Sequence, residues 1–237
     1  PDAAPAVLPD VSAHASFWPT LLAMLALVGF HFYVQAPHPG PGPAPEVWLD
    51  AGTAQAGRIL QGQWWRLVTA LTLHADAAHV LGNAVFGGLF AGLLCRRVGS
   101  GLGWLLILLA GAAGNGCNAL VAAPWHDSLG FSTALFGAAG ALSGLNLRRG
   151  SLSRAAAPLA AALGILAMLG AGGEDPGLID LGAHGFGLAA GLGLGAGAGF
   201  VLRRRGLPGR AADAVLGLLA LGMVVGCWGL ALRALPA

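Results

Sequence analysis

The sequence predicts an all-α polytopic membrane protein, and three observations carry that prediction. The chain is 56% hydrophobic and only 9% charged, with a mean hydropathy of +0.73, a balance that soluble domains, about a quarter charged, do not show. Seven apolar segments are candidate membrane helices, at about 17–35, 77–95, 102–123, 132–147, 155–172, 180–202 and 211–233. Nine of the twelve basic residues, all of them arginine, gather in alternate loops between those segments.

Spanning the hydrocarbon layer takes ~20 apolar residues. The segments at 132–147 and 155–172 fall short of that and predict helices with little tilt or with ends beyond these bounds. Neither a basic stretch before the first segment nor a clear small-residue cleavage site after it is present, so it reads as a span and not as a signal peptide. Forty glycines suit close helix packing in lipid, where small residues let backbones approach. The absence of lysine alongside so much Ala, Gly and Leu points to a GC-rich bacterial genome.

Arginine placement orients the chain. Arg96 and Arg97, Arg148, Arg149 and Arg154, and Arg203, Arg204, Arg205 and Arg210 follow the second, fourth and sixth spans. By the positive-inside rule these loops face the cytoplasm. The opposite loops hold Glu46, Asp50, Asp76, Asp127, Glu174, Asp175 and Asp180, with Arg58 and Arg66 as their basic residues. The expected organisation is a cytoplasmic tail at 1–16, a six-helix core at 17–202, and a cytoplasmic Arg-rich loop with a seventh transmembrane helix at 203–237. The N-terminus is then cytoplasmic and the C-terminus extracytoplasmic, and the expected location is a bacterial inner membrane.

The long first loop, about 36–76, opens with Pro37, Pro39, Pro41 and Pro43 spaced by His38, Gly40 and Gly42, which excludes helix there. Its tryptophans Trp48, Trp64 and Trp65 lie among leucines and predict a loop resting in the headgroup region. A folded loop with a small core of its own is the alternative.

Ser132 and His184 open two of the apolar segments. A hydroxyl and an imidazole placed in lipid are expensive, and function is the default reason to keep them there. Ser132 precedes Arg148 by 16 residues and His184 precedes Arg203 by 19, which puts them ~24 and ~28 Å above the cytoplasmic ends of their helices. Both therefore fall in the outer part of the bilayer, where a serine and a base form the minimum for an activated nucleophile. His79 and Asn83 are spaced i,i+4, share a helix face at the same level, and can donate hydrogen bonds to a developing oxyanion, or else simply join two helices. Gly187, Gly191 and Gly195 follow His184 along one face, and Gly137, Gly140 and Gly144 follow Ser132 and Phe136. Contact between those two faces would bring the serine and histidine together.

Asp180, one turn before His184, reads as a helix N-terminal residue favoured by the dipole and not as a third catalytic member. His14, His31, His38 and His126 lack partners at ligand spacing and read as incidental or interfacial. Cys95, Cys117 and Cys227 show no CxxC spacing and read as small core residues. No HExxH is present, so a zinc protease is not supported; no cofactor, no metal and no nucleic-acid partner is expected. A transporter is disfavoured because no charged residue falls at mid-depth.

At this point the residues resemble the rhomboid family of intramembrane serine proteases. Trp65-Arg66 is similar to its first-loop WR motif, and His74, His79 and Asn83 to its second-helix HxxxN pattern with the histidine one turn earlier. Gly130-Phe131-Ser132 resembles its GxS, and the run from Ala183 to Gly191 its AHxxGxxxG, including Gly187 and Gly191. The resemblance implies a six-helix core with an extra C-terminal helix (6+1), Ser132 as nucleophile, and His184 as general base. It further implies oxyanion donation by His79, Asn83 and the Ser132 N–H, and cleavage of transmembrane protein substrates near their extracytoplasmic end. Two departures stand out: Thr133 occupies the place of a usual second glycine, and Phe136 the place where some members carry tyrosine. A sorting protease acting on C-terminal membrane anchors is the alternative within the same chemistry, and a non-proteolytic rhomboid-like protein that binds membrane proteins is the alternative outside it.

Overall fold

The computed structural model describes residues 16–36, 44–147, 152–172 and 180–235. The predicted tail up to residue 15, the proline-rich opening of the first loop, Arg148, Arg149, Glu174 and Asp175 lie outside the described residues. A helix stands at each of the seven predicted segments: α1 (Trp18–Gln35), α5 (Ala77–Val98), α6 (Ser100–Val121), α7 (Ser132–Leu147), α8 (Leu152–Gly172), α9 (Leu181–Arg205) and α10 (Arg210–Arg233). Five of them, α1, α5, α6, α9 and α10, are long and apolar enough to cross a membrane. Their outward faces carry exposed Leu22, Leu25, Val85, Leu89, Leu218 and Leu221, as lipid contact requires and water would not favour.

Helix α7 is the centre of the bundle. It has 16 residues, every one of them buried except Leu147, so protein and not lipid surrounds it and its ends need not reach the membrane surfaces. Its partners are α9, α6, α8 and α5, with α9 the most extensive. The α7–α9 contact is made of backbone. A side chain at Gly191 would strike the carbonyl group of Gly137, one at Gly195 that of Ala141, and one at Gly140 that of Leu188. The two glycine stripes read from the sequence are thus in contact, and the close approach has no room for a methyl group.

Terminal chemistry sets the helix bounds. The Asp76 side chain accepts from His79 N and the Asp180 side chain from Ala183 N, starting α5 and α9. Gly99 and Gly206, with φ of +100° and +78°, end them. The N-terminus of α6 is capped from another helix: Asp213 of α10 accepts from Gly101 N at 3.1 Å and Leu102 N at 3.0 Å. That carboxylate fastens the last helix to the core.

The described part of the first loop, residues 44–76, is folded, as in the alternative reading, but its small core is shared with α1 and α10. It contains α2 (Pro45–Gly52), α3 (Ala56–Leu60), α4 (Arg66–Thr69) and a 3₁₀ turn at Ala70–Thr72. Val34, Trp48 and Leu73 form a small core there, with Phe30, Leu49, Leu129 and Trp228 against it. Trp64 remains exposed.

Candidate active site

Ser132 is the first residue of α7, delivered by Gly130, whose φ of +126° turns the chain into the helix. His184 lies one turn into α9, and both are buried. Because the glycine faces press α7 and α9 together, His184 Nε2 comes to 2.7 Å from Ser132 Oγ. A hydroxyl at that distance can pass its proton to a neutral imidazole. The His184 ring stacks on Phe136 with centroids 4.7 Å apart and planes 25° from parallel, which fixes its orientation without a hydroxyl. Its Nδ1 is buried with no hydrogen-bond partner among the described residues.

His79 and Asn83 converge on the same place. A side chain added at Gly130 would meet His79 Nε2 at 2.7 Å and Asn83 Nδ2 at 3.5 Å, so both nitrogens border the backbone two residues before Ser132. Asn83 Nδ2 is buried and bonded to no described group, a donor kept out of water beside the Gly130 backbone. The first N–H groups of a helix, here beginning with that of Ser132, have no partner within the helix and favour negative charge.

His74 supports the backbone beneath. Its Nε2 accepts from Phe131 N at 3.2 Å, which requires the neutral ring. Burial, with smaller contributions from His79 and His31, lowers its pKa to about 3. His31, incidental by its spacing, is in fact buried against His74, with ring centroids 6.4 Å apart, and His74 in turn lies 5.0 Å from His79. His126, without a partner by spacing, has one in the fold: its Nε2 lies 2.7 Å from Asp180 Oδ2. His14 and His38 lie outside the described residues.

Trp65 and Arg66 are not brought to the dyad. Arg66 is only 2% exposed and donates to Asp50 O (2.5 Å), Thr53 O (2.8 Å) and Gln63 Oε1 (2.7 Å). It satisfies carbonyls left open at the end of α2 and so holds the loop together. Trp65 O accepts from Val68 N and Thr69 N at the start of α4. Thr133 fits because its methyl packs where Gly114 and Gly187 have no side chains. Asn115 and Asn118 carry no role in the sequence reading, although polar groups inside an apolar segment signal a partner. Asn115 binds Leu67 O at 3.0 Å and Asn118 binds Asp180 Oδ2 at 2.7 Å.

A serine hydrogen-bonded to a histidine inside a bundle of apolar helices defines a membrane protein with the geometry of a nucleophile and its base. The Rhomboid domain family matches residues 61–200, more than half of the chain and all of this site. The chain belongs to the rhomboid family and is an integral membrane protein. It is 37% identical over 91 residues to Rhomboid protease GluP of Bacillus subtilis (strain 168), covering 38% of this chain and 18% of that protein. It is 35% identical over 92 residues to Putative rhomboid protease YdcA of the same organism, covering 38% of this chain and 46% of that one. The matched stretch thus spans less than half the length of either relative.

Proposed function

We propose that the protein is an intramembrane serine protease that cleaves transmembrane substrates near their extracytoplasmic end. The observation that carries this reading is the 2.7 Å contact between Ser132 Oγ and His184 Nε2, inside a family that includes a named protease. His184 Nε2 takes the Ser132 proton as Oγ attacks the scissile carbonyl carbon, and the carbonyl electron pair moves onto oxygen. The Ser132 N–H, His79 and Asn83 donate to that oxyanion. Collapse breaks the C–N bond, and the leaving amine takes the proton from His184. Water, deprotonated by the same ring, then attacks the ester carbon and regenerates Ser132 with release of the acid.

The arginines at the ends of α5 and α9 support a cytoplasmic position for those ends, and hence an outer position for the dyad. Seven crossings, with the C-terminus outside, complete the proposed topology. Reaction of the detergent-purified protein with a fluorophosphonate probe tests the nucleophile: labelling is expected for the wild type and absent in Ser132→Ala. Equal labelling of both sinks the serine assignment, and labelling without cleavage of any membrane-anchored peptide favours a non-proteolytic protein. Ser132→Ala and His184→Ala should each abolish cleavage, and the double variant should be no worse, since nucleophile and base act as a unit.

A further inference from the structure

The segment between α6 and α7, residues 122–131, delivers Ser132 and is held on two sides. On one side, Ala54 N, Ala56 N and Gly57 N donate to Ser128 O, His126 O and Pro124 O at 2.8, 2.9 and 2.9 Å, and Thr53 Oγ1 lies 3.0 Å from Asp127 Oδ2. On the other, His126 Nε2 lies 2.7 Å from Asp180 Oδ2, the oxygen that also receives Asn118 Nδ2 of α6 at 2.7 Å. The second Asp180 oxygen accepts from Ala183 N at 2.9 Å, and the Asp180 carbonyl accepts from His184 N at 3.1 Å. Gly182 leaves the space that Asn118 uses, because a side chain there would strike the Asn118 amide oxygen. Burial alone would raise the Asp180 carboxyl, but the Ala183 N–H, the His126 ring and the Ser128 side chain outweigh it and hold it below its ordinary value.

This arrangement answers a mechanical problem. Helices pack against sliding by setting side-chain ridges into grooves, and the glycine faces of α7 and α9 have few ridges. They fix how close the helices come, but offer little resistance to a shift along the axis. The Thr133 methyl, seated against Gly114 and Gly187, is one peg. We infer that His126 and Asp180 are positioning residues: their hydrogen bond ties the segment that delivers Ser132 to the first turn of the helix that delivers His184, and so sets the register of the dyad. Asp180 does not act as a third catalytic member, since its carboxylate is engaged with Ala183, Asn118, His126 and Ser128.

The inference rests on the proposed dyad, and the test separates the two. In a Ser132→Cys, Cys117→Ala background, alkylation of the introduced thiol by iodoacetamide across pH reports whether His184 lies close enough to favour the thiolate, with no need for proteolysis. His184→Ala should slow that alkylation near neutral pH. His126→Leu should slow it by on the order of tenfold, and His126→Gln, whose amide can still donate to Asp180, should restore it. In the serine enzyme, His126→Leu should lower kcat with little change in KM, again rescued by Gln. Indifference to His184→Ala overturns the dyad and this inference with it. A normal response to His184→Ala, with His126→Leu either as fast as the parent or no slower than His126→Gln, overturns the positioning role alone.

Discussion

Gly191→Ala is the smallest change that should take the dyad apart. The added carbon would strike the Gly137 carbonyl oxygen, and would sit 2.7 Å from the Gly137 carbonyl carbon and 2.9 Å from the Gly137 Cα. Ordinary contact begins near 3.4 Å, so α7 and α9 must part by at least about 0.7 Å, and no side chain can swing aside because the obstacle is backbone. Gly191 lies seven residues, or ~10 Å, along the helix from His184. A parallel parting would carry the 2.7 Å Ser132–His184 contact to about 3.4 Å, past the range of a useful hydrogen bond. Overpacking of this kind costs about 1–3 kcal/mol of stability, and a misplacement approaching 1 Å costs on the order of a hundredfold in rate. Gly193→Ala is the matched control: nothing lies within 4 Å of its added carbon, and replacing glycine within a helix should stabilise by about 0.5–1 kcal/mol. Thermal unfolding in detergent and turnover of a membrane-anchored fluorogenic peptide, measured on both variants, make the comparison. If Gly191→Ala matches Gly193→Ala in both, the backbone-contact account of the dyad is wrong.

His79→Ala and Asn83→Ala should each lower kcat by on the order of a hundred- to thousandfold with little change in KM, as expected on loss of one oxyanion donor; activity that merely tracks a fall in melting temperature would make them structural. Asp213→Ala removes the acceptor for Gly101 N and Leu102 N and should destabilise by about 0.5–2 kcal/mol, as loss of a helix cap does. Unchanged thermal stability would refute that account of how α10 is fastened. Because the Asp180 pKa is lowered on folding, its stabilising contribution is complete above the unfolded carboxylate value and is lost as pH falls through the lower folded value. Melting temperature followed downward from pH 5 should therefore fall less steeply in Asp180→Asn than in the wild type, and parallel curves would count against the linkage.

Much of this molecule was settled by properties that act along the chain. Lipid demands apolar runs of a given length, and a helix rises by a constant amount per residue, so the helices, and the shared level at which Ser132 and His184 would lie, could be read by counting. The glycine stripes were equally legible, because a 3.6-residue period turns spacing into a face. Lateral neighbours are another matter. The partner of His126 lies 54 residues away in sequence, and that of Asp213 more than a hundred, and no periodicity encodes either. Arg66 looked like part of a functional motif, yet its three acceptors belong to the loop it closes. His31 joined His74 only because α1 packs on α5 and against the 3₁₀ turn of the first loop. Depth follows from one helix at a time and is therefore written in the sequence, whereas the contact between two helices depends on how both pack with all the others, and only the tertiary structure decides it.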